Sequence, residues 1–167
     1  MHDHGLKAML RDLDADAFTG DVWRVTEAGR DPTEASDAPG RWDTGMATVY
    51  LSLSPEGAIA EFRHAIGPEA TPRMVLHHLH VRARSTLTLG YEVLSYLGVP
   101  REEYAETKRT RCQEIGTLAA SLGFDSIVSP SARWNAQNLV LFLPNADDDA
   151  LSVVRSDELA ASGLDVN

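Results

Sequence analysis

The sequence predicts an α+β domain built on a twisted, largely antiparallel sheet with flanking helices. Three observations indicate this class. Segments with the apolar patterns of strands, such as DVWRVT and RMVLHHLHVR, are spread along the whole chain. Other segments carry apolar residues at helical spacing. The 167 residues contain no repeat, linker or low-complexity block, so a single domain over residues 1–167 is expected.

The N-terminal part is predicted to contain one helix, one strand and one long loop. Residues 6–17 have the apolar spacing of a short amphipathic helix. Asp21–Thr26 follows as a strand with alternating faces. Residues 27–41 are rich in Gly, Pro, Asp and Ser, and a loop of this length in a compact domain is usually functional or mobile.

The next segment is predicted to form a strand followed by a helix. Ala47–Leu53 alternates between an apolar and a polar face, and Tyr50 lies on the polar one. Ser54 is a suitable N-cap, and Pro55 is well placed at the first helical position. Glu61 lies beside the apolar stripe of this helix rather than opposite it, so the phenol and the carboxylate are expected to face one cleft.

The remaining elements complete the predicted sheet and its helices. A strand, a short helix and a longer helix are expected within Arg73–Arg82, Ser85–Gly98 and Pro100–Leu122. Two short strands are expected at Ser126–Ser129 and Asn138–Leu143. Residues 145–149 are expected to form an acidic turn, and Leu151–Val154 an edge strand. The C-terminal tail is predicted to be helical or frayed.

The charge and cysteine content exclude several classes of function. With 25 acidic and 15 basic residues, the net charge is −10, which opposes general nucleic-acid binding. Basic residues cluster only modestly, around Arg82–Arg84 and Lys108–Arg111. The single cysteine, Cys112, forbids an internal disulfide and fits a reducing cytoplasm. The N-terminus is acidic and has no apolar core, so it is not expected to act as a signal peptide. No apolar run has bilayer length, so no membrane partner is expected.

Several familiar catalytic and metal-binding patterns are absent. On a strand, His78 and His80 would share one face, and His77 would lie on the other. Only two histidines could then bind the same metal ion, and no third ligand is evident, so no metal site is expected. Ser131 is not part of a G-x-S-x-G elbow, and Cys112 has no neighbour in sequence that marks it as a nucleophile. The chain also lacks a P-loop and a dinucleotide-binding glycine fingerprint.

Taken together, four segments in order resemble the RES-domain family of toxins from bacterial type II toxin–antitoxin systems. They are VWRV at 22–25, GRWDTGMATVYLSLSPEGAIAE at 40–61, a long strand with a helix, and SPSARWNAQNLVLF at 129–142. The resemblance covers roughly residues 20–145. One departure is Asp43, where the family more often has asparagine after the tryptophan, which leaves the fine structure of that turn open.

The resemblance implies a fold similar to ADP-ribosyltransferase toxins and NAD as the substrate. Family members either degrade NAD, by hydrolysis or phosphorolysis, or transfer its ADP-ribose to a protein, one known target being phosphoribosyl pyrophosphate synthetase. The implied partner is an antitoxin with a helix-turn-helix domain, whose C-terminal end blocks the active site.

The resemblance also assigns roles to five residues. Arg24, Glu61 and Ser131 match the family's arginine, glutamate and serine, and Arg41 and Tyr50 match further active-site positions. As the expected catalytic residues, Glu61 would stabilise positive charge on the ribose, and Arg24 would assist it. Either arginine would bind the pyrophosphate. Tyr50 would stack on a ring of NAD, and Ser131 would orient the ligand.

Structural alternatives accompany these assignments. Arg24 could pair with Glu61 without any catalytic task, and Arg41 could be an ordinary loop charge. Trp42 is expected to be a core anchor beneath the turn, and Asn138 to satisfy backbone groups at the start of a strand. The alternative for the whole chain is a catalytically silent module that binds NAD or an antitoxin.

Overall fold

The computed structural model describes residues 2–69, 72–106 and 109–160, in which six strands and four α-helices are found. The strands are β1 (Asp16–Glu27), β2 (Thr48–Ser52), β3 (Met74–Thr88), β4 (Ser126–Pro130), β5 (Gln137–Phe142) and β6 (Leu151–Leu159). The helices are α1 (His2–Arg11), α2 (Pro55–Ile66), α3 (Tyr91–Tyr96) and α4 (Thr110–Ser121), with a 3₁₀ turn at Arg101–Glu103. None of the described helices has the length and apolar character that crossing a membrane requires.

The six strands form one sheet in the order β1-β2-β5-β4-β3-β6, and β1 also pairs with β3. Five strands therefore close into a ring, and β6 lies outside it on the edge of β3. Every described pairing is antiparallel except the one between β3 and β4, which confirms the predicted α+β class and sheet type. β1 and β2 are joined only at Trp23 and Ser52, so the ring is weakly closed there.

The largest core cluster lies between the sheet and the helices α1, α3 and α4. It contains Leu10, Leu94, Ile115 and Phe142, all fully buried, and burying such side chains contributes roughly 1.5–3 kcal/mol each. Trp42 belongs to this cluster, which confirms that it is a core anchor. α4 packs closely against the backbone of the turn that contains Trp42. A Cβ added at Gly116 would lie only 1.8 Å from the Trp42 carbonyl oxygen, so only glycine fits at this position.

The start of α2 follows the prediction from its sequence. Ser54 has an extended backbone, and its hydroxyl accepts a hydrogen bond from the Gly57 N–H at 3.0 Å. Pro55 occupies the first helical position, and Gly67 ends the helix with φ of 78°, a conformation that glycine adopts without strain. Glu61 is thereby fixed in the middle of a capped helix.

Several predicted boundaries were wrong. The helix expected over Pro100–Leu122 begins only at Thr110, because the chain first makes a 3₁₀ turn and then buries Tyr104, whose hydroxyl donates to the Pro130 carbonyl at 2.6 Å. The first helix ends at Arg11 rather than 17, since β1 begins at Asp16. Lys108 and the tail from residue 161 lie outside the described residues.

Three strands are longer than predicted because their neighbours extend them. β1 begins at Asp16 rather than Asp21, paired along β3. β3 continues to Thr88, where its end pairs with β4. β6 continues to Leu159 rather than ending at Val154, although it is an edge strand as expected. These pairings involve residues far apart in sequence, which local patterns do not reveal.

Candidate active site

A cavity of about 510 Å³ lies between β1, β2, α2 and the loop that follows β1. Four of the five predicted site residues line it: Arg24, Arg41, Tyr50 and Glu61. The fifth, Ser131, lies behind one wall, only 5% exposed, and contacts Glu61. The volume is within the range of small-molecule sites, roughly 300–1,000 Å³.

The Glu61 carboxylate is held at one of its two oxygens. The Ser131 hydroxyl donates to Oε1 at 2.7 Å, and the Asn138 side-chain amide donates to the same oxygen at 2.8 Å. No hydrogen bond from the described residues reaches Oε2. One oxygen therefore fixes the orientation of the carboxylate, and the other accepts no hydrogen bond from the described residues.

Ser131 connects this carboxylate to the loop between β4 and β5. Its hydroxyl oxygen accepts hydrogen bonds from the backbone N–H groups of Arg133 and Trp134, both at 3.1 Å. The same hydroxyl donates its proton to Glu61. All of these contacts are internal to the protein, so the geometry makes Ser131 a residue that positions Glu61.

Arg24 anchors the loop that covers the cavity. Its Nη1 donates to the carbonyl oxygens of Pro32 at 2.8 Å and Glu34 at 2.7 Å. In the described part of the chain no ion pair joins Arg24 to Glu61, so the simple neutralising pair is not observed. Burial lowers the pKa of Arg24, and the nearby Arg30 charge lowers it further.

The three histidines of β3 lie where the strand alternation places them. His77 is buried and bridges two strands, with Nε2 2.8 Å from the Thr26 hydroxyl and Nδ1 2.7 Å from the Ser156 hydroxyl. Burial, followed by the charge of Arg24, lowers the pKa of His77. His78 stacks on the Trp23 ring, with centroids 5.0 Å apart. Among the described residues no group of His, Cys, Asp or Glu is arranged to hold a metal ion.

Arg41 is fixed against Tyr104 rather than left as a mobile loop charge. Its Nη1 donates to the Tyr104 carbonyl oxygen at 2.5 Å, and its Cζ lies 4.6 Å from the centroid of the Tyr104 ring. Burial raises the pKa of Tyr104 to about 12, so its hydroxyl stays protonated at neutral pH. Tyr104 was not among the predicted site residues, because it lies in a segment with the apolar spacing of a helix.

Tyr50 holds the turn that precedes its own strand. Its hydroxyl donates to Asp43 Oδ1 at 2.5 Å and accepts from the Trp42 N–H at 3.0 Å. The ring is also close to Gly40, where a Cβ would come within 2.3 Å of it. Burial and the Asp43 hydrogen bond raise the pKa of Tyr50. The hydroxyl is thus occupied inside the protein, and the predicted stacking on a ligand could involve only the part of the Tyr50 ring that lines the cavity.

Asp43 is the centre of this turn. The carboxylate is 2% exposed and accepts from the N–H groups of Gly40 at 3.0 Å and Gly45 at 2.9 Å, in addition to Tyr50. Three donors are shared between two carboxylate oxygens, whereas an asparagine would offer a single acceptor oxygen. The departure from the family pattern thus has a structural reason in this chain.

Three arginines that were not predicted as site residues belong to the lining of the cavity. Arg30, Arg109 and Arg133 line the cavity together with Arg24 and Arg41, despite the overall charge of −10. Arg133 was within the segment 129–142 and two residues after Ser131, which is the signal that could have found it. Asn138 was in the same segment, but its amide serves Glu61 and not the start of a strand, so that expectation was wrong.

The family model of the RES domain matches residues 20–162. The chain belongs to the RES-domain family. Its fold is similar to that of a chain in the crystal structure of the M. tuberculosis MbcT–MbcA toxin–antitoxin complex, with a TM-score of 0.87. That match covers 98% of this chain and 97% of the other at 20% sequence identity. No curated protein matches the chain.

The RES domain thus places at a cavity with arginines in its wall a carboxylate that has one oxygen without a hydrogen bond from the described residues. A carboxylate in this position can stabilise a cation that develops on a ligand. Guanidinium groups are suited to the phosphate groups of the same ligand. The arrangement fits a ligand that carries phosphates at one end and gains positive charge at the other during reaction.

Proposed function

We propose that this RES domain is the toxin of a bacterial toxin–antitoxin system and cleaves the bond between nicotinamide and ribose in NAD. The observation that carries the proposal is the Glu61 carboxylate, fixed at Oε1 by Ser131 and Asn138 while Oε2 remains available. It opens onto a cavity of about 510 Å³, which is large enough for a nucleotide.

Glu61 supports the bond-breaking step electrostatically. When the bond between the ribose carbon and the pyridinium nitrogen breaks, its electron pair leaves with nicotinamide, which becomes neutral. The ribose is left with oxocarbenium character, as in glycoside hydrolysis. A fixed negative charge stabilises this state without reorganising during the reaction. Because the leaving group needs no proton, the site requires no general acid for this step.

The arginines of the cavity account for binding of the pyrophosphate. A dianionic ligand is repelled by a protein of charge −10 unless cations surround its site. Arg41 is already oriented by Tyr104, so little side-chain entropy is lost when it binds a phosphate. Arg24 contributes through the loop it holds and through the part of its guanidinium that lines the cavity.

The acceptor of the ADP-ribose distinguishes three versions of this activity. Water or phosphate as acceptor degrades NAD, and a protein side chain as acceptor makes the domain an ADP-ribosyltransferase. Phosphoribosyl pyrophosphate synthetase is the protein target that we would test first. The antitoxin partner is expected to carry a helix-turn-helix domain and to block the active site by inserting its C-terminal end into the cavity. Both proteins are expected to be cytoplasmic. The similarity in fold to a chain of a toxin–antitoxin complex supports an antitoxin partner in general.

The test measures the release of nicotinamide from NAD by the purified chain, with and without phosphate. A second assay adds labelled NAD and a cell lysate, in which a labelled protein band appears only if ADP-ribose is transferred to a protein. Glu61→Gln keeps the size and an acceptor oxygen but removes the charge, so a loss of kcat of at least about 10²-fold is expected. Unchanged turnover in this variant would refute the mechanism. NAD binding without nicotinamide release by the wild type, together with harmless expression in bacteria, would instead identify a silent binding module.

A further inference from the structure

The edge strand β6 is unusually exposed. It pairs with β3 on one side, and no strand in the described part of the chain pairs with its other side. Every residue from Ser152 to Glu158 is exposed, including Val153 at 45% and Val154 at 58%. An edge strand presents unpaired N–H and C=O groups, which can pair with a strand of another chain.

Symmetry limits how two copies of β6 can pair. In an antiparallel pair related by a two-fold axis normal to the sheet, opposed residues lie on the same face. Because side chains alternate with a period of two, such a pairing is centred on a residue and not between two residues. If the pair is centred on Arg155, the two Arg155 side chains face each other. If it is centred on Asp157, the two Asp157 side chains face each other. Centring on Ser156 places Arg155 opposite Asp157 twice.

We propose that β6 forms a homodimer by antiparallel pairing with β6 of a second copy, centred on Ser156. In this register the regular part of the strand contributes Arg155, Ser156 and Asp157 of each copy, whereas Val153 lies beyond a bulge and on the other face of the sheet. Arg155 and Asp157 are already on one face, where Nε and Oδ2 are 2.7 Å apart. The two copies therefore bring four charges of alternating sign together on that face, where opposite charges directly across a sheet are favourable.

The centre of the pairing is compatible with close approach. The side chain at the axis is a serine, whose hydroxyl bonds to His77 of β3 in the same chain. Val154 has no partner on β3, because the register passes from His78–Arg155 to Leu79–Val153 at a bulge. A bulge limits the regular part of the strand to Arg155–Leu159, so we expect a weak, reversible dimer.

The test is sedimentation of the purified chain over a range of concentrations up to several hundred micromolar, where weak interfaces are populated. The wild type is expected to dimerise. Arg155→Asp and Asp157→Arg alone each oppose like charges at both symmetry-related positions, so association should weaken about tenfold or more. An equimolar mixture of the two variants restores both opposite-charge pairs, so it should form a heterodimer. The double variant R155D/D157R should dimerise like the wild type.

Arg82→Asp is the matched control, since Arg82 has a comparable exposed ion pair with Asp149 and does not lie on β6. This variant should dimerise like the wild type, and thermal unfolding of each variant verifies that it is folded. Three results would overturn the proposal: a monomeric wild type, single variants that dimerise unchanged, or a mixture that remains monomeric. Nicotinamide release is not needed for the readout, so the outcome is independent of the proposed catalysis.

Discussion

Replacing the two groups that hold Glu61 tests whether the orientation of its carboxylate determines the rate. Ser131→Ala and Asn138→Ala each remove one donor to Oε1. A hydrogen bond to a charged group contributes about 1.5–3 kcal/mol, so each variant is expected to lose roughly 10- to 100-fold in kcat. Because both donors serve one oxygen, the double variant should lose less than the product of the single losses.

The two variants differ in their expected effect on stability. Ser131→Ala also removes the acceptor of the Arg133 and Trp134 N–H groups, so its melting temperature should fall further than that of Asn138→Ala. A cost of about 1–3 kcal/mol corresponds to roughly 2–12 °C for a chain of this size. Ser121→Ala is the control, because its hydroxyl donates to the Leu118 carbonyl at the end of α4 and away from the cavity.

The assay is steady-state nicotinamide release with kcat and KM measured separately, alongside thermal unfolding. If KM rises while kcat stays constant, the two side chains bind substrate rather than position Glu61. If kcat and KM both remain unchanged while the melting temperature falls, they serve stability alone. Either result would refute the positioning role.

Three further predictions follow from groups around the cavity. Asp43→Asn should lower the melting temperature by roughly 2–12 °C and reduce kcat, because one of three donors loses its acceptor in a buried turn; near-wild-type values would contradict this. Arg24→Ala should expose residues 28–39 to limited proteolysis and raise KM, with partial rescue in Arg24→Lys; unchanged cleavage would show that the loop is held by other contacts. The pKa of His77 is lowered in the folded state, so the unfolded chain binds a proton at this histidine more readily than the folded chain does. The free energy of unfolding should therefore decrease as the pH falls below about 6.5. Urea unfolding between pH 5 and 8 should therefore show a smaller pH dependence in His77→Gln, and an identical slope would contradict the assignment.

Local sequence was sufficient for the strand and helix that carry Tyr50 and Glu61. Alternation, the Ser54 cap and Pro55 act within a few residues, so β2 and α2 were predicted to within a residue or two at their starts. The assignment of Glu61 to an active site rested instead on the resemblance to the RES family. Its partners Ser131 and Asn138 are 70 and 77 residues away, and no local pattern indicates that both donate to one oxygen.

The missed features arise from contacts that reverse a local preference. The helix predicted from residue 100 is delayed because burial of Tyr104 and its bond to the Pro130 carbonyl favour a turn over helical propensity. The role of Asp43 was not predictable either. An aspartate in a turn normally accepts from nearby backbone groups, whereas here it also accepts from Tyr50 on the following strand.

The hydrogen bonds of the site divide its residues into two functional groups. Tyr50 and Ser131 use their hydroxyl groups inside the protein, so they set the geometry of the cavity before any ligand binds. Among the described residues, one Arg41 N–H donates to Tyr104 and no hydrogen bond reaches Glu61 Oε2, so the Arg41 guanidinium and the Glu61 carboxylate can still bind a ligand. Substituting a residue of the first group should therefore lower kcat with little change in KM. Substituting Arg41 by alanine should mainly raise KM, and by less at high salt because its attraction to phosphate is screened. If Tyr50→Phe raised KM as strongly as Arg41→Ala, the phenol would be a ligand contact and this division would be wrong.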